Sequence, residues 1–103
     1  VCEETFAPIV SIVSYETLDD AIAHVNNSNL GLNAGIYTNV LTDAMRAADE
    51  LEAGAVIIND IPTFRVDNMP YGGVKMSGYG KEGIKYALEE MTNLKFITIK
   101  TIF

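Results

Sequence analysis

Residues 70–83 read Pro70-Tyr-Gly-Gly-Val-Lys-Met-Ser-Gly-Tyr-Gly-Lys-Glu-Gly83 and contain five of the chain's eight glycines. We call this segment the glycine-rich loop. Glycine adopts positive φ angles at no steric cost, so this density predicts unusual backbone geometry rather than a regular helix or strand. The loop separates a longer part of the chain before residue 70 from a shorter part after residue 83.

The glycine-rich loop contains the spacing of two phosphate-binding motifs, but its surroundings disfavour both. Its last three glycines match a dinucleotide fingerprint, which needs a preceding strand and an acidic residue about 20 positions later. Only residues 74–76 could form that strand, and the position about 20 residues after the last glycine is Phe103. A Walker motif needs Ser or Thr after its lysine, whereas Lys81 precedes a glutamate.

Composition favours one small acidic domain. The 103 residues carry 14 acidic and 7 basic side chains, a net charge of −7, and 49% are hydrophobic. Nucleic acids and anionic membranes attract basic surfaces, so neither is an expected partner. No apolar run approaches the roughly 20 residues of a membrane helix. The single cysteine cannot form an internal disulfide, which favours a reducing compartment, the cytoplasm.

Hydrophobic periodicity predicts alternating strands and helices before the loop. In chain order these are a strand at 9–15, a helix at 18–26, a strand at 34–38, a helix at 41–51 and a strand at 55–59. Thr17 and Asp20 resemble a capping box for the first helix, and Asn39 is the expected N-cap of the second. Strands alternating with helices over short links indicate parallel βαβ units, so the predicted fold class is α/β.

Two further elements are predicted after the glycine-rich loop. Residues 84–91 form a last helix, and residues 94–102 alternate apolar and polar side chains, as a terminal strand does. Lys95 and Lys100 suit the edge of a sheet, where one row of backbone donors and acceptors stays unpaired.

Two motifs of this chain resemble the aldehyde dehydrogenase superfamily. The family's C-terminal signature is a Pro-aromatic-Gly-Gly run followed by Lys, Ser-Gly, Gly and a basic-acidic pair, which the glycine-rich loop matches from Pro70 to Glu82. A second family element, Glu-Glu-x-Phe-Gly-Pro, is similar to Glu-Glu-Thr-Phe-Ala-Pro at residues 3–8. Both stand in the family's order, and the resemblance covers nearly the whole chain. Family enzymes are several times longer.

The resemblance implies the final segment of an NAD- or NADP-dependent enzyme that oxidises an aldehyde to a carboxylic acid. Residues 1–92 would be the last part of its catalytic domain, and residues 93–103 a terminal oligomerisation strand in a homo-oligomer. The nucleophilic cysteine, the general base and the dinucleotide-binding domain would lie upstream, so the chain alone should be inactive. The alternative is a self-standing α/β binding or assembly module on the same scaffold.

The resemblance also assigns cofactor-binding residues. The second glutamate of the family element, Glu4 here, hydrogen-bonds the hydroxyls of the nicotinamide-side ribose, and Phe6 packs against the nicotinamide. A carboxylate can accept from two neighbouring hydroxyls at once, which suits this role. Ala7 replaces a glycine of the family element, and a positive φ there would strain alanine.

Arg65 and Tyr71 are the candidate substrate-binding residues. An arginine in this loop is similar to that of family branches that take phosphorylated, phosphonate or otherwise anionic aldehydes. Its planar fork binds phosphate or carboxylate oxygens two at a time. The alternative is a surface salt bridge to a nearby acid such as Asp67. Tyr71 occupies the aromatic position that family enzymes place in the aldehyde tunnel, and ordinary loop packing is its alternative.

The remaining polar residues receive structural interpretations. Cys2 has no activating base nearby, and the family's nucleophile belongs to a motif that this chain lacks. His24 lies on a polar helix face without a second metal ligand. Lys75, Ser77 and Lys81 are expected to serve loop hydrogen bonding and solvation. No catalytic or metal-binding residue is predicted.

Overall fold

The structure, a computed structural model, describes residues 4–101 and has an α/β fold, as predicted. The helices of this range are α1 (Leu18–Asn26), α2 (Leu41–Glu50) and α3 (Ile84–Met91). Its strands are β1 (Leu30–Gly31), β2 (Asn33–Ile36), β3 (Ala55–Ile58) and β4 (Val74–Lys75). Within the described range, every helix is too short or too polar to cross a membrane.

A parallel βαβ unit forms the centre of the chain. Strands β2 and β3 pair in parallel from Asn33 opposite Ala55 to Ile36 opposite Ile58, and α2 connects them. Parallel neighbours need such a crossover because the end of the first strand and the start of the second lie at opposite edges of the sheet. Helix α2 packs on β3, and α1 packs on α2. The buried apolar residues of the described range are Ile22, Ala44, Ala47 and Ile57.

A side-chain cap is present at the start of α1 but not at the start of α2. The capping box predicted for α1 is confirmed: the Asp20 amide donates to Thr17 Oγ1 at 3.2 Å, and the Thr17 amide donates to Asp20 Oδ2 at 3.2 Å. The prediction that Asn39 caps α2 is wrong. The N-cap is Val40, whose amide donates to Thr38 Oγ1 at 3.0 Å. Helix α2 therefore begins one residue later than a cap at Asn39 would place it.

Two predicted strands are not formed. The structure assigns no strand within residues 9–15 or 94–101, while residue 102 lies outside the described range. A strand needs a neighbouring backbone to complete its hydrogen bonds, and the short sheets of this chain do not reach either segment. We call residues 4–16 the N-terminal arm and residues 92–101 the C-terminal arm.

The two arms expose large apolar side chains and lengthen the molecule. Ile12 is 93% exposed, and Leu94 and Phe96 are similarly uncovered. The radius of gyration is 19.0 Å and the extents are 73 × 33 × 23 Å. A compact domain of this length would have a radius of gyration of about 13 Å. Much of the apolar surface of the described residues is therefore exposed.

The glycine-rich loop has the unusual geometry that its composition predicts. Gly80 and Gly83 have φ angles of 71° and 127°, and Lys75 has a φ of 54° although it carries a side chain. The prediction that the loop contains no regular strand is wrong at β4, which pairs antiparallel with β1. Two-residue strands are too short to produce a periodic pattern, so sequence reasoning had no signal for this pair.

Side chains fasten the loop to the end of α1. Lys75 Nζ donates to the carbonyl oxygens of Asn26 at 2.7 Å and Ser28 at 2.9 Å, and it lies 2.5 Å from the Glu52 carboxylate. The ammonium therefore satisfies carbonyl groups where the helix leaves them unpaired. Ser77 Oγ accepts a hydrogen bond from the amide of Gly31 in β1 at 2.8 Å. These contacts agree with the structural roles expected for both side chains.

Candidate functional site

Arg65 and Tyr71 line the same cavity, which we call the arginine cavity. Its volume is about 260 Å³. The lining residues are Leu32, Asn33, Ala55, Thr63, Phe64, Arg65, Met69, Pro70 and Tyr71. Among these described residues, Arg65 alone carries a formal charge. Small apolar pockets with few polar groups bind ligands whose orientation those groups fix, so this cavity suits a small molecule with an anionic end.

The guanidinium of Arg65 lies over the ring of Tyr71. Its Cζ atom is 4.3 Å from the ring centroid, within the range of a cation–π contact. Arg65 forms no salt bridge with any carboxylate of residues 4–101, so the alternative of an ion pair with Asp67 is not found. The two residues proposed for substrate binding are therefore in direct contact.

Backbone hydrogen bonds hold Tyr71 in place. Its amide donates to the Glu82 carbonyl at 3.2 Å, and the Glu82 amide donates to the Tyr71 carbonyl at 2.6 Å. Lys81 Nζ donates to the carbonyl of Gly72 at 2.6 Å, in line with its expected structural role. The two ends of the glycine-rich loop are thus joined at the aromatic residue.

Turns on either side of Arg65 shape the segment that carries it. The Phe64 amide donates to the Ile61 carbonyl at 3.0 Å, and the Met69 amide donates to the Val66 carbonyl at 3.0 Å. Both bonds join residues three positions apart, the spacing of a β-turn. The arginine backbone is therefore set between two turns.

Gly54 lets the glycine-rich loop approach the start of β3. A Cβ atom at Gly54 would overlap the carbonyl oxygen of Gly72 and lie 2.8 Å from that of Leu32. Both contacts are backbone atoms, which cannot rotate away as a side chain can. Because Gly72 follows Tyr71, this close approach sets how near Tyr71 lies to the sheet.

The structure places Glu4 and Phe6 outside the arginine cavity. Glu4 lines a second cavity of about 460 Å³, whose lining also includes Leu32 and Asn33. These two residues line the arginine cavity as well, so the cavities adjoin there. Phe6 is 99% exposed. Ala7 is not among the residues of positive φ in the described range, so it does not have the strained backbone considered above.

Within residues 4–101, Arg46 and His24 are titratable residues on the helices before the loop. Arg46 bonds to Glu50 at 2.9 Å and to Asp19 at 2.5 Å, which joins α2 to α1. Hydrogen bonds to Glu50 first, and then to Asp19, raise the pKa of Arg46. His24 is exposed in the last turn of α1. Residues 4–101 contain no group of three His, Cys, Asp or Glu side chains suited to a metal, and Cys2 lies outside this range.

Sequence reasoning missed the polar side chains that share the arginine cavity. Asn33 and Thr63 line it and could hydrogen-bond a ligand. The only signal for Asn33 is its register opposite Ala55 at the start of the parallel pair. That register becomes known only when the strands are paired in three dimensions.

A family model and the curated relatives of similar sequence all identify aldehyde dehydrogenases. The model described as "Aldehyde dehydrogenase family" matches residues 1–97. Over 100 residues the chain is 54% identical to a 3-sulfolactaldehyde dehydrogenase of Priestia aryabhattai, covering 96% of this chain. Over 99 residues it is 52% identical to a lactaldehyde dehydrogenase of Methanococcus maripaludis, again covering 96% of this chain. The chain spans 21% of the length of each of these relatives.

Solved structures of similar proteins contain cofactors or a reaction product. Glyceraldehyde-3-phosphate dehydrogenase GapN of Methanocaldococcus jannaschii, complexed with NADP, matches with a TM-score of 0.70 at 49% identity, over 75% of this chain and 17% of that one. Betaine aldehyde dehydrogenase of Staphylococcus aureus, in complex with NAD+, matches with a TM-score of 0.79 at 39% identity. The match covers 85% of this chain and 17% of that one. Aldehyde dehydrogenase 21 of Physcomitrella patens, in complex with the reaction product succinate, matches with a TM-score of 0.71 at 45% identity. The match covers 75% of this chain and 16% of that one.

Proposed function

This chain belongs to the aldehyde dehydrogenase family, and from this premise we propose that it is one part of a longer enzyme. That enzyme oxidises a small anionic aldehyde to a carboxylic acid with NAD or NADP. The chain contributes residues that bind substrate and cofactor, whereas the nucleophilic cysteine and the general base belong to the remainder. The single cysteine supports a reducing compartment, and we propose the cytoplasm.

The arginine cavity is the observation that carries the substrate proposal. A single cation, without a carboxylate partner in the described range, lines a small and largely apolar space. Such a site favours a compact substrate with one negatively charged group, because the planar fork of an arginine donates charge-assisted hydrogen bonds to two oxygens of an anion. Relatives named for sulfolactaldehyde and glyceraldehyde 3-phosphate, and one solved with succinate, support the same choice.

A neutral hydroxyaldehyde is the second candidate substrate. The lactaldehyde dehydrogenase relative supports it at 52% identity. Asn33 and Thr63 offer uncharged hydrogen-bonding groups in the arginine cavity, which suit a hydroxyl. The two candidates differ in whether Arg65 contributes to substrate preference.

We propose that Glu4 and Phe6 face the cofactor. Glu4 has an accessible carboxylate, and its cavity adjoins the arginine cavity at Leu32 and Asn33. Substrate and nicotinamide must meet for hydride transfer, so adjoining cavities fit the two roles. When bound, the oxidised cofactor accepts the hydride that the aldehyde carbon loses. Glu4 would accept hydrogen bonds from ribose hydroxyls, and Phe6 would cover the nicotinamide.

The exposed arms favour part of a larger enzyme over a self-standing module. An independent module would cover its large apolar side chains, yet the described residues bury only four apolar residues. Ile12, Leu94 and Phe96 would be covered by the remaining catalytic domain or by a neighbouring subunit.

The 103-residue chain alone should show no aldehyde dehydrogenase activity and no measurable affinity for NAD(P). Catalysis requires nucleophile, base and cofactor in one geometry, and this chain offers at most one side of that site. Reduction of NAD(P)+, followed by absorbance, compares the purified chain with the longer protein. Turnover by the chain alone that disappears in Cys2→Ser would contradict the proposal. A longer protein without NAD(P)-dependent aldehyde oxidation would contradict it as well.

The chain should also self-associate through its C-terminal arm. Leu94, Phe96 and Ile99 are at least 87% exposed, and the arm has no strand pairing, so a second copy can add its backbone and cover these side chains. Light scattering should give a mass above that of the monomer, and a chain ending at Asn93 should return toward it. A strict monomer in both cases would argue against a homo-oligomer built on this strand.

A further inference from the structure

We infer that Tyr71 is a positioning residue, which holds the guanidinium of Arg65 in the arginine cavity and thereby sets the preference for anionic aldehydes. The inference rests on the proposed function, in which Arg65 binds the substrate anion. It gives Tyr71 a role that acts through another side chain rather than through the aldehyde itself. The observation behind it is the 4.3 Å contact between the Arg65 Cζ atom and the Tyr71 ring centroid.

The contact leaves the binding groups of Arg65 available. An aromatic face attracts a cation through its negative quadrupole, and the Arg65 Cζ atom lies over the face of the Tyr71 ring. The N–H groups point outward in the guanidinium plane, where they can grip two oxygens of one anion. A carboxylate in place of the ring would occupy those N–H groups and compete with the substrate. The described residues place no carboxylate in salt-bridge range.

The ring is a firm support for a flexible side chain. Both backbone hydrogen bonds between Tyr71 and Glu82 fix the point from which the ring projects. Arg65 is exposed and has many rotamers, and ordering such a side chain on binding costs affinity. A ring that orders the guanidinium in advance lowers that cost. A substitution of Tyr71 changes only the side chain, so both backbone hydrogen bonds to Glu82 can still form.

The test measures preference between two aldehydes that differ in one group. 3-Sulfolactaldehyde carries a sulfonate where lactaldehyde carries a hydrogen, so the ratio of their kcat/KM values reports recognition of the anion. In the longer enzyme, Tyr71→Leu should lower this ratio by about 2- to 30-fold, mainly through the KM for the anionic aldehyde. Tyr71→Phe keeps the aromatic face and should preserve most of the ratio.

Two controls separate positioning from a general effect on the loop. Tyr79 lies in the same loop but is 102% exposed, and Tyr79→Leu should leave the ratio unchanged. In an Arg65→Met background, Tyr71→Leu should cause no further fall in the ratio, because the group it positions is gone. Rates with lactaldehyde report whether each variant is folded and competent.

The outcomes distinguish this inference from the proposed function. Equal losses for both aldehydes in Tyr71→Leu would make Tyr71 an ordinary lining residue and overturn the inference. A further fall in the ratio from Tyr71→Leu in the Arg65→Met background would overturn it too. If Arg65→Met lowers the ratio while Tyr71→Leu does not, only the Tyr71 role fails. If Arg65→Met leaves the ratio unchanged, the proposed anion recognition fails and the inference fails with it.

Discussion

Replacing Arg65 by methionine in the longer enzyme should lower kcat/KM for 3-sulfolactaldehyde by about 10- to 150-fold. The range corresponds to the loss of a charge-assisted hydrogen bond of about 1.5–3 kcal/mol. Methionine keeps an unbranched apolar stem but has no N–H donor, so packing in the arginine cavity is largely retained. Lactaldehyde, which lacks the sulfonate, should lose far less. Steady-state kinetics with both aldehydes provides the measurement.

A second arginine offers a matched control for this experiment. Arg46→Met removes the same charge from the chain, but Arg46 pairs with Asp19 and Glu50 on the exposed surface of α1 and α2. Exposed ion pairs contribute little, so the kcat/KM ratio of the two aldehydes should stay unchanged. If Arg65→Met lowers kcat/KM equally for both aldehydes, Arg65 is structural and the neutral hydroxyaldehyde becomes the favoured substrate.

Replacing Gly54 by alanine should destabilise the longer enzyme by about 1–3 kcal/mol or more. The added methyl group would overlap the Gly72 carbonyl oxygen and crowd that of Leu32, and neither backbone atom can yield without moving the loop. Displacement of Gly72 should also shift Tyr71, so the preference for the anionic aldehyde should weaken. Thermal unfolding and the paired kinetic assay measure the two effects.

Thr42→Ala is the reference substitution for the stability effect. Thr42 is exposed in the first turn of α2, where such a change usually alters stability by less than about 0.5 kcal/mol. A Gly54→Ala enzyme with the thermal midpoint of the Thr42→Ala variant would show that the loop does not approach β3 as closely as described.

Local signals accounted for much of the fold. The bounds of α1 and α3 match the predicted 18–26 and 84–91, and the parallel βαβ unit follows from strand and helix patterns with short links. In α1, Thr17 and Asp20 satisfy each other's backbone amides, so residues three apart define the helix start. Such features depend on near neighbours in the chain.

The failures concern features that depend on distant residues. The strand predictions at 9–15 and 94–102 rested on the apolar pattern of each segment, but such a pattern does not supply the neighbouring strand that a sheet needs. The interaction of Arg65 with Tyr71 was also missed. Besides the substrate, sequence reasoning offered only a nearby acid such as Asp67 as an alternative partner of Arg65, whereas the folded loop brings an aromatic ring to the guanidinium. Predicting the missing strand pairing and the contact between Arg65 and Tyr71 would have required the three-dimensional positions of residues that are not adjacent in sequence.

The two exposed arms also bear on the fate of this chain in a cell. Chaperones bind uncovered apolar segments, and proteases cut segments that lack stable hydrogen bonding. A free copy would present such segments at 4–16 and 92–101, on either side of a small folded centre. Cellular quality control should therefore remove such a copy faster than one whose arms are covered.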